Sequence, residues 1–188
     1  MTRRKLEIHT TPISGVLLVE THLYQDERGI FYRGFCDREL DDILSGKKIR
    51  QVNLSITHRA GAIRGLHFQY PPHAEMKMIR CLQGRVWDVV VDLRKGSPTF
   101  LRWYGVELSA ENKLMIVVPE GFAHGFQVLE AGSELLYLTT AHYEPKSEGG
   151  IRYSDPKLNI PWLLKVTDVS DRDSSHPFLS KDFRGFVL

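Results

Sequence analysis

Gln51-Val52-Asn53-Leu54-Ser55-Ile56-Thr57 alternates polar and apolar side chains without a break. A period of two belongs to a β-strand, whose successive side chains leave opposite faces. Val52, Leu54 and Ile56 then share one face, and Gln51, Asn53 and Ser55 the other. In a barrel the polar members line a cavity; in an open sheet the same pattern is a half-exposed strand.

Outward from this stretch the period of two persists. Ile13 to Val19 is apolar and β-branched, Ile30 to Phe35 is aromatic-rich, and Arg64-Gly65-Leu66-His67-Phe68-Gln69 also reads as strand. Lys77 to Leu82, Arg85 to Leu93, Phe100 to Leu108, Leu114 to Val118, Gly125 to Leu129 and Glu134 to Ala141 continue it. Gln83-Gly84, Lys95-Gly96-Ser97-Pro98, Glu120-Gly121 and Glu130-Ala131-Gly132 separate them as turns. Many short strands at this spacing predict an all-β sandwich or barrel. Glu39 to Leu44 reads as a brief helix, with Asp37 as its cap and Gly46 as its stop. From Pro145 the chain reads as a long loop. From Thr167 it is a charged tail, either disordered or folded back over the barrel.

The chain's 188 residues fit one domain, 1–188, and its 42% hydrophobic content suffices for a sizeable core. A formal charge of +2 leaves no nucleic-acid footprint, because Arg3-Arg4-Lys5 and Lys47-Lys48-Ile49-Arg50 are short and far apart. Cys36 and Cys81 form no CxxC pair, and both read as ordinary thiols rather than metal ligands. With no leader peptide and no long apolar run, the expectation is a cytoplasmic protein with reduced thiols and no membrane partner.

Two histidines carry the chemistry. His67 lies in Arg64–Gln69 and His124 in Pro119-Glu120-Gly121-Phe122-Ala123-His124-Gly125-Phe126. Each stands within two residues of a glycine and a phenylalanine, which suggests opposite walls of one polar cavity that binds a small molecule or a metal. An imidazole titrates near neutral pH and can remove a proton, most effectively with a carboxylate on its far nitrogen. Asp168, Asp171 and Asp173 in the tail, or Asp26, Asp88 and Asp92 nearer the barrel, could supply that carboxylate, and spacing does not choose among them. The fork of Arg64 suits phosphate or carboxylate. Tyr137 is either a core residue or a proton donor opposite His67. Lys77, out of phase with its apolar neighbours, is either an outward charge or an inward cation that would stabilise a developing oxyanion.

A metal centre is the competing reading. His67, Glu75 and His124, with His73, offer nitrogen and oxygen ligands. Gly61 with His67, and Pro119, Gly121 and His124, match the spacing of metal-binding cupins, but Gln69 stands where their second histidine belongs.

Beyond spacing, the chain resembles the dTDP-4-dehydrorhamnose 3,5-epimerase family. Asp26-Glu27-Arg28-Gly29 with Phe31, Gln51 with Asn53, and Arg64–Gln69 carry the resemblance, followed by Asp88–Arg94, Gly96–Phe100 and Leu108–Asn112. Pro119–Phe126, Tyr137, Tyr143 and Asp155-Pro156 complete it in the same order. The resemblance implies a jelly-roll cupin barrel and a homodimer whose N-terminal strands cross to the partner sheet. It also implies a nucleotide-linked 4-keto-6-deoxy-hexose as substrate, with neither metal nor nicotinamide as cofactor. By it, His67 is the base, Tyr137 the opposing acid, and Lys77 the support of the enolate oxygen. Ser170-Asp171-Arg172-Asp173 is similar to the family's Ser-x-Lys-Asp and selects Asp173 as the aspartate that orients the base. Arg28, Arg64 and Arg172 resemble contacts to the diphosphate. Phe31, Gln51, Asn53 and Tyr143 resemble residues around sugar or base, and His124 a second pocket histidine.

Four positions depart from the family pattern: Glu75, Leu138, Arg33 and Leu54. They alter the rim and leave the base in place, so they bear on which sugar and nucleotide are accepted. Inversion at C3 alone, a metal-dependent cupin enzyme and a non-catalytic sugar-binding protein are the alternatives.

Overall fold

The computed structural model describes residues 5–188, so most of the Arg3-Arg4-Lys5 cluster lies outside the described residues. The strands are β1 (Leu6–Thr10), β2 (Leu17–Thr21), β3 (Leu23–Asp26), β4 (Gly29–Tyr32), β5 (Gln51–Thr57), β6 (Ile63–Gln69) and β7 (Lys77–Gln83). They continue as β8 (Arg85–Asp92), β9 (Trp103–Ser109), β10 (Met115–Val118), β11 (Phe122–Val128), β12 (Ser133–Thr139) and β13 (Glu148–Gly150). Two short helices accompany them, α1 (Asp41–Leu44) and α2 (Asp171–Ser175).

One sheet runs β1-β2-β10-β7-β12-β5 and the other β13-β6-β11-β8-β9; every pairing within them is antiparallel. The β3–β4 hairpin stands as a separate two-stranded sheet. This is the all-β, jelly-roll type of architecture expected, with one apolar layer between two sheets. Ile79 and Cys81 of β7, Val86 and Val90 of β8, Phe126 of β11 and Leu135 of β12 fill that layer. Cys81 sits there as a buried small hydrophobe, and burial pushes its thiol up to about 11.

The alternate side chains pack outside the sheets. Met78, Met115, Val117 and Leu138 meet Leu40 and Leu44 beside α1. On the other sheet, Val89 and Val91 meet Ile151, Leu158 and Ile160, with Trp162 and Phe186 packed against them. Both faces of β8 are therefore covered, which explains its unbroken apolar run Val89-Val90-Val91.

The tail is folded back over the barrel. Val169 bridges to Ile63, and Phe186 bridges to Arg94, with the Phe186 N–H donating to the Leu93 carbonyl at 2.7 Å. Its aromatic and aliphatic residues supply a lid for the second sheet, so sparse periodicity marked irregular backbone rather than disorder.

Several boundaries differ from the sequence reading: β4 stops at Tyr32 short of Phe35, β11 begins at Phe122 rather than Gly125, β12 ends at Thr139 rather than Ala141, and the region read as loop and tail from Pro145 holds β13 and α2. Three further differences have a visible local cause. Ile13 and Val16 are buried but belong to a turn, because the Thr11 hydroxyl bonds the Ile13 N–H and the Val16 carbonyl and diverts the backbone from the ladder. Phe100–Arg102 also form a turn, with the Arg102 N–H on the Thr99 carbonyl, and β9 starts only at Trp103. Helix α1 has Leu40 at its N-cap with no side-chain cap; Asp37 instead accepts from the Arg38 N–H.

Candidate active site

Strands β6 and β11 are neighbours in one sheet, and their register sets His67 beside His124 on the same face. The two histidines therefore share one wall of the cavity rather than standing on the opposite walls expected, and the other sheet supplies the facing wall. The ladder is irregular between His124 and Phe126, where two glycines meet. Gly65 has φ +118°, and a Cβ there would stand 2.8 Å from the His124 carbonyl oxygen. Glycine is required on both counts, conformation and close approach.

His67 gives Nε2 to Asp173 Oδ1 at 2.8 Å, and the Gly65 N–H donates to Asp173 Oδ2 at 2.9 Å. Asp173 reaches this position from α2. Ser170 is the N-cap of that helix, its hydroxyl accepting the Asp173 N–H at 3.1 Å. The capping geometry thus aims the Asp173 side chain inward, where it is 3% exposed. Burial alone would raise this carboxyl's pKa. The hydrogen bonds from His67 and Gly65, with the charge of Arg172, outweigh it and hold Asp173 below the usual carboxylate range.

An ionised carboxylate only accepts hydrogen bonds, so the neutral His67 carries its proton on Nε2. Arg172 Nη2 is 3.2 Å from the same nitrogen, and Arg172 Nε is 3.2 Å from Asp173 Oδ1. Because Nε2 is already a donor, the guanidinium makes no hydrogen bond to it and is held beside the dyad by its Nε on Asp173 Oδ1. The Nδ1 lone pair of His67 is left free of the dyad.

His124 repeats the arrangement deeper in the barrel. Its Nε2 is 2.8 Å from Asp88 Oδ2, and both side chains are buried. The Tyr137 ring stands edge-on to His124 with centroids 6.0 Å apart. Burial, then the Asp88 charge, pushes the Tyr137 phenol far above its ordinary value, so it stays protonated. Tyr137 is paired with Asn53 across β5–β12.

These groups border a cavity of about 400 Å³. Its wall includes His67, His124, Tyr137 and Lys77. Gln51, Asn53, Arg64, Tyr143 and Arg172 join them, as do Ser55, Glu75 and Thr139. Lys77 therefore faces inward, where its Nζ is 3.1 Å from Glu75 Oε1 and both side chains are largely buried. A neighbouring hollow of about 310 Å³ shares Arg64, His67 and Arg172 and reaches Asp173.

The cupin metal set is not assembled. Glu75 pairs with Lys77 and His124 with Asp88, and Gln69 is spent on the His73 and His142 carbonyls and the Glu144 N–H. Among the described residues, the side chains close enough to share an ion are His67, Asp173 and His176.

The family description dTDP-4-dehydrorhamnose 3,5-epimerase matches residues 10–181. A relative of that name from Shigella flexneri is 41% identical over 181 residues, spanning 95% of this chain and 99% of its own. The chain belongs to the dTDP-4-dehydrorhamnose 3,5-epimerase family. Among solved structures, the dTDP-6-deoxy-D-glucose-3,5-epimerase of Legionella pneumophila Philadelphia 1, in complex with dTDP-4-keto-L-rhamnose, aligns with TM-score 0.90 at 37% identity. It covers 97% of this chain and 99% of that one. A 3'-monoepimerase from Streptomyces bikiniensis, in complex with dTDP-quinovose, aligns with TM-score 0.84 at 33% identity, covering 90% and 86%.

Two residues named from the family pattern stand apart from the cavity. Arg28 and Phe31 lie on the β3–β4 hairpin and border a different surface hollow. Arg28 is bonded to Asp26 there, and Phe31 is 70% exposed. Glu148 went unnoticed in the sequence: it accepts from the Tyr143 hydroxyl at 2.8 Å and pairs with Arg172 at 3.0 Å. Nothing in Glu148-Gly149-Gly150 as a string signals this, since β13 finds its place only by pairing with β6.

Proposed function

We propose that residues 1–188 form one cupin-type epimerase domain that inverts C3, and then C5, of a dTDP-linked 4-keto-6-deoxy-hexose. The observation that carries the reading is the His67–Asp173 dyad, which leaves a free imidazole Nδ1 beside a cavity also bordered by a protonated Tyr137 and an inward Lys77.

The ketone at C4 acidifies the hydrogens on C3 and C5. His67 Nδ1 takes the C3 proton, the C–H electrons become the C3–C4 double bond, and the C4 oxygen becomes an enolate. Lys77 is placed to steady that charge, worth more in the transition state than in the ground state. Asp173 holds the Nε2–H tautomer and stabilises the imidazolium. Tyr137 then gives its proton to C3 from the other side, the ketone returns, and the centre is inverted. His67 then releases its extra proton to solvent and Tyr137 takes one back, after which the same groups serve C5 once the sugar is re-presented.

Arg64 and Arg172, shared by the two hollows, suit the diphosphate. Gln51, Asn53, Tyr143 and His124 contact the sugar and base. Arg28 and Phe31 join the site from a second copy of the chain. Support for that dimer comes from the unpaired edge strand β5, whose Val52, Leu54 and Ile56 are 52–61% exposed, and from the apolar hairpin projecting beside the barrel. No helix among the described residues is long and apolar enough to cross a membrane, and a cytoplasmic location fits two free thiols.

Incubation with dTDP-4-keto-6-deoxyglucose in deuterated water tests the reading. Deuterium should enter C3 with inversion, and C5 if both centres are handled. Binding of the nucleotide sugar without any exchange would leave a sugar-binding protein instead.

A further inference from the structure

His176 has no part in the chemistry above, yet its imidazole stands edge-on to His67 with centroids 5.6 Å apart. Its Nε2 is buried without a hydrogen-bond partner and lies 3.9 Å from Asp173 Oδ1. A buried polar atom with no partner calls for a reason. A Cβ at Gly150 would collide about equally with Nε2, Cε1 and Cδ2 of the His176 ring, so Gly150 packs on the ring face. The in-plane lone pair of Nε2 is not the direction that Gly150 covers. Donor atoms of His67, Asp173 and His176 all lie within 4.8 Å of one another.

We infer that His67, Asp173 and His176 form an inhibitory site for a late first-row divalent cation, Zn2+ being the probe. Two imidazoles and one carboxylate are the donor set such ions favour. Tetrahedral zinc bonds of about 2.1 Å place neighbouring donors roughly 3.4 Å apart. The His67–Asp173 separation of 2.8 Å would open slightly, and the His176–Asp173 separation of 3.9 Å would close by a similar amount. The obstacle is Arg172, whose Nη2 stands 3.2 Å from His67 Nε2. That side chain is 55% exposed and already paired to Glu148 through Nη1, so it can withdraw onto that carboxylate.

The inhibition follows from the tautomer and rests on the proposed role of His67. A metal on Nε2 moves the imidazole's one proton to Nδ1, the nitrogen that must accept the sugar's proton. The base is then blocked without any loss of the fold. A ring that holds the metal on Nε2 has no lone pair left on Nδ1 to take the sugar's proton.

Zn2+ binding is measured first, without substrate, by competition with a chromophoric chelator. His176→Phe keeps a ring over Gly150 and removes the donor; His176→Ala serves if the phenyl is not accommodated. The wild type should take up one Zn2+ per chain, and the variants should bind it at least about 10- to 100-fold more weakly. Solvent-deuterium exchange should be inhibited over the same Zn2+ range, restored by EDTA, and resistant in the variants, whose metal-free rate is unchanged. Equal Zn2+ affinity in wild type and variants overturns the site. Zn2+ uptake that leaves exchange untouched overturns the inhibition. The binding measurement reads the site even if the protein shows no epimerase activity.

Discussion

His67 and His124 stand side by side across the β6–β11 ladder, and each gives Nε2 to a different carboxylate, Asp173 and Asp88. The two dyads are not equivalent. Asp173 has both oxygens engaged, whereas Asp88 Oδ1 has no partner. His67 is 22% exposed and His124 only 5%. The outer dyad therefore has access to solvent for renewing its proton, and the inner one is placed to hold rather than to exchange.

Replacing the outer histidine, His67→Asn, should slow solvent-deuterium incorporation by about two to four orders of magnitude, the range of a lost general base. His124→Asn should cost less in rate and more in KM. Full exchange by the His67 variant would remove it from the base role.

Asp173→Asn should keep an oxygen for the Gly65 N–H but turn an amide donor toward His67. The imidazole then carries its proton on Nδ1, and the rate should fall by about 10²–10⁴-fold with KM little changed. Steady-state kinetics on folded variant, checked by circular dichroism, measures this.

Asp173 also links stability to pH. Its folded pKa is depressed, so its contribution is full above the unfolded carboxylate value of about 3.9 and is lost as pH falls below that toward the folded value. Denaturant titrations should show the stability gap between wild type and Asp173→Asn constant at neutral pH and shrinking below about pH 4.

Tyr137→Phe separates abstraction from inversion. His67 should still exchange the proton on its own face, while delivery from the opposite face fails. The ratio of exchanged to inverted product should rise at least about tenfold, read by proton NMR. Because burial keeps the phenol protonated, the wild-type rate should show no loss from Tyr137 ionisation through pH 10.

Arg28 and Phe31 test the dimer. Arg28→Ala should weaken dTDP binding, and mixing Arg28→Ala with His67→Asn chains should restore activity. Each mixed dimer would hold one site with His67 from one chain and Arg28 from the other. Mixtures no better than the separate variants would place Arg28 outside the partner's site.

The period of two around Gln51–Thr57, with Gly and Pro at the turns, was enough to specify strands and an all-β class, because pleating is a local property. The face on which Gln51, Asn53 and Ser55 lie was equally legible, and it is the face that borders the cavity. The capped turn of Ser170 and Asp173 is local too, yet the sequence marked it only through resemblance to the family's Ser-x-Lys-Asp, and helix α2 was not read there.

Partners separated by long stretches of chain were another matter. Asp88 and Asp173 are interchangeable in a string, and only the β8–β11 register and the folding back of the tail give the first to His124 and the second to His67. Lys77 could equally have faced solvent until the two sheets closed around it. Glu148 and His176 had no local signal, and the motif and strand legible at Asp26–Phe31 did not say that the hairpin carrying Arg28 stands as a separate sheet. Local stereochemistry writes the strands into the sequence, while charge pairing at 2.8 Å depends on where remote segments come to rest.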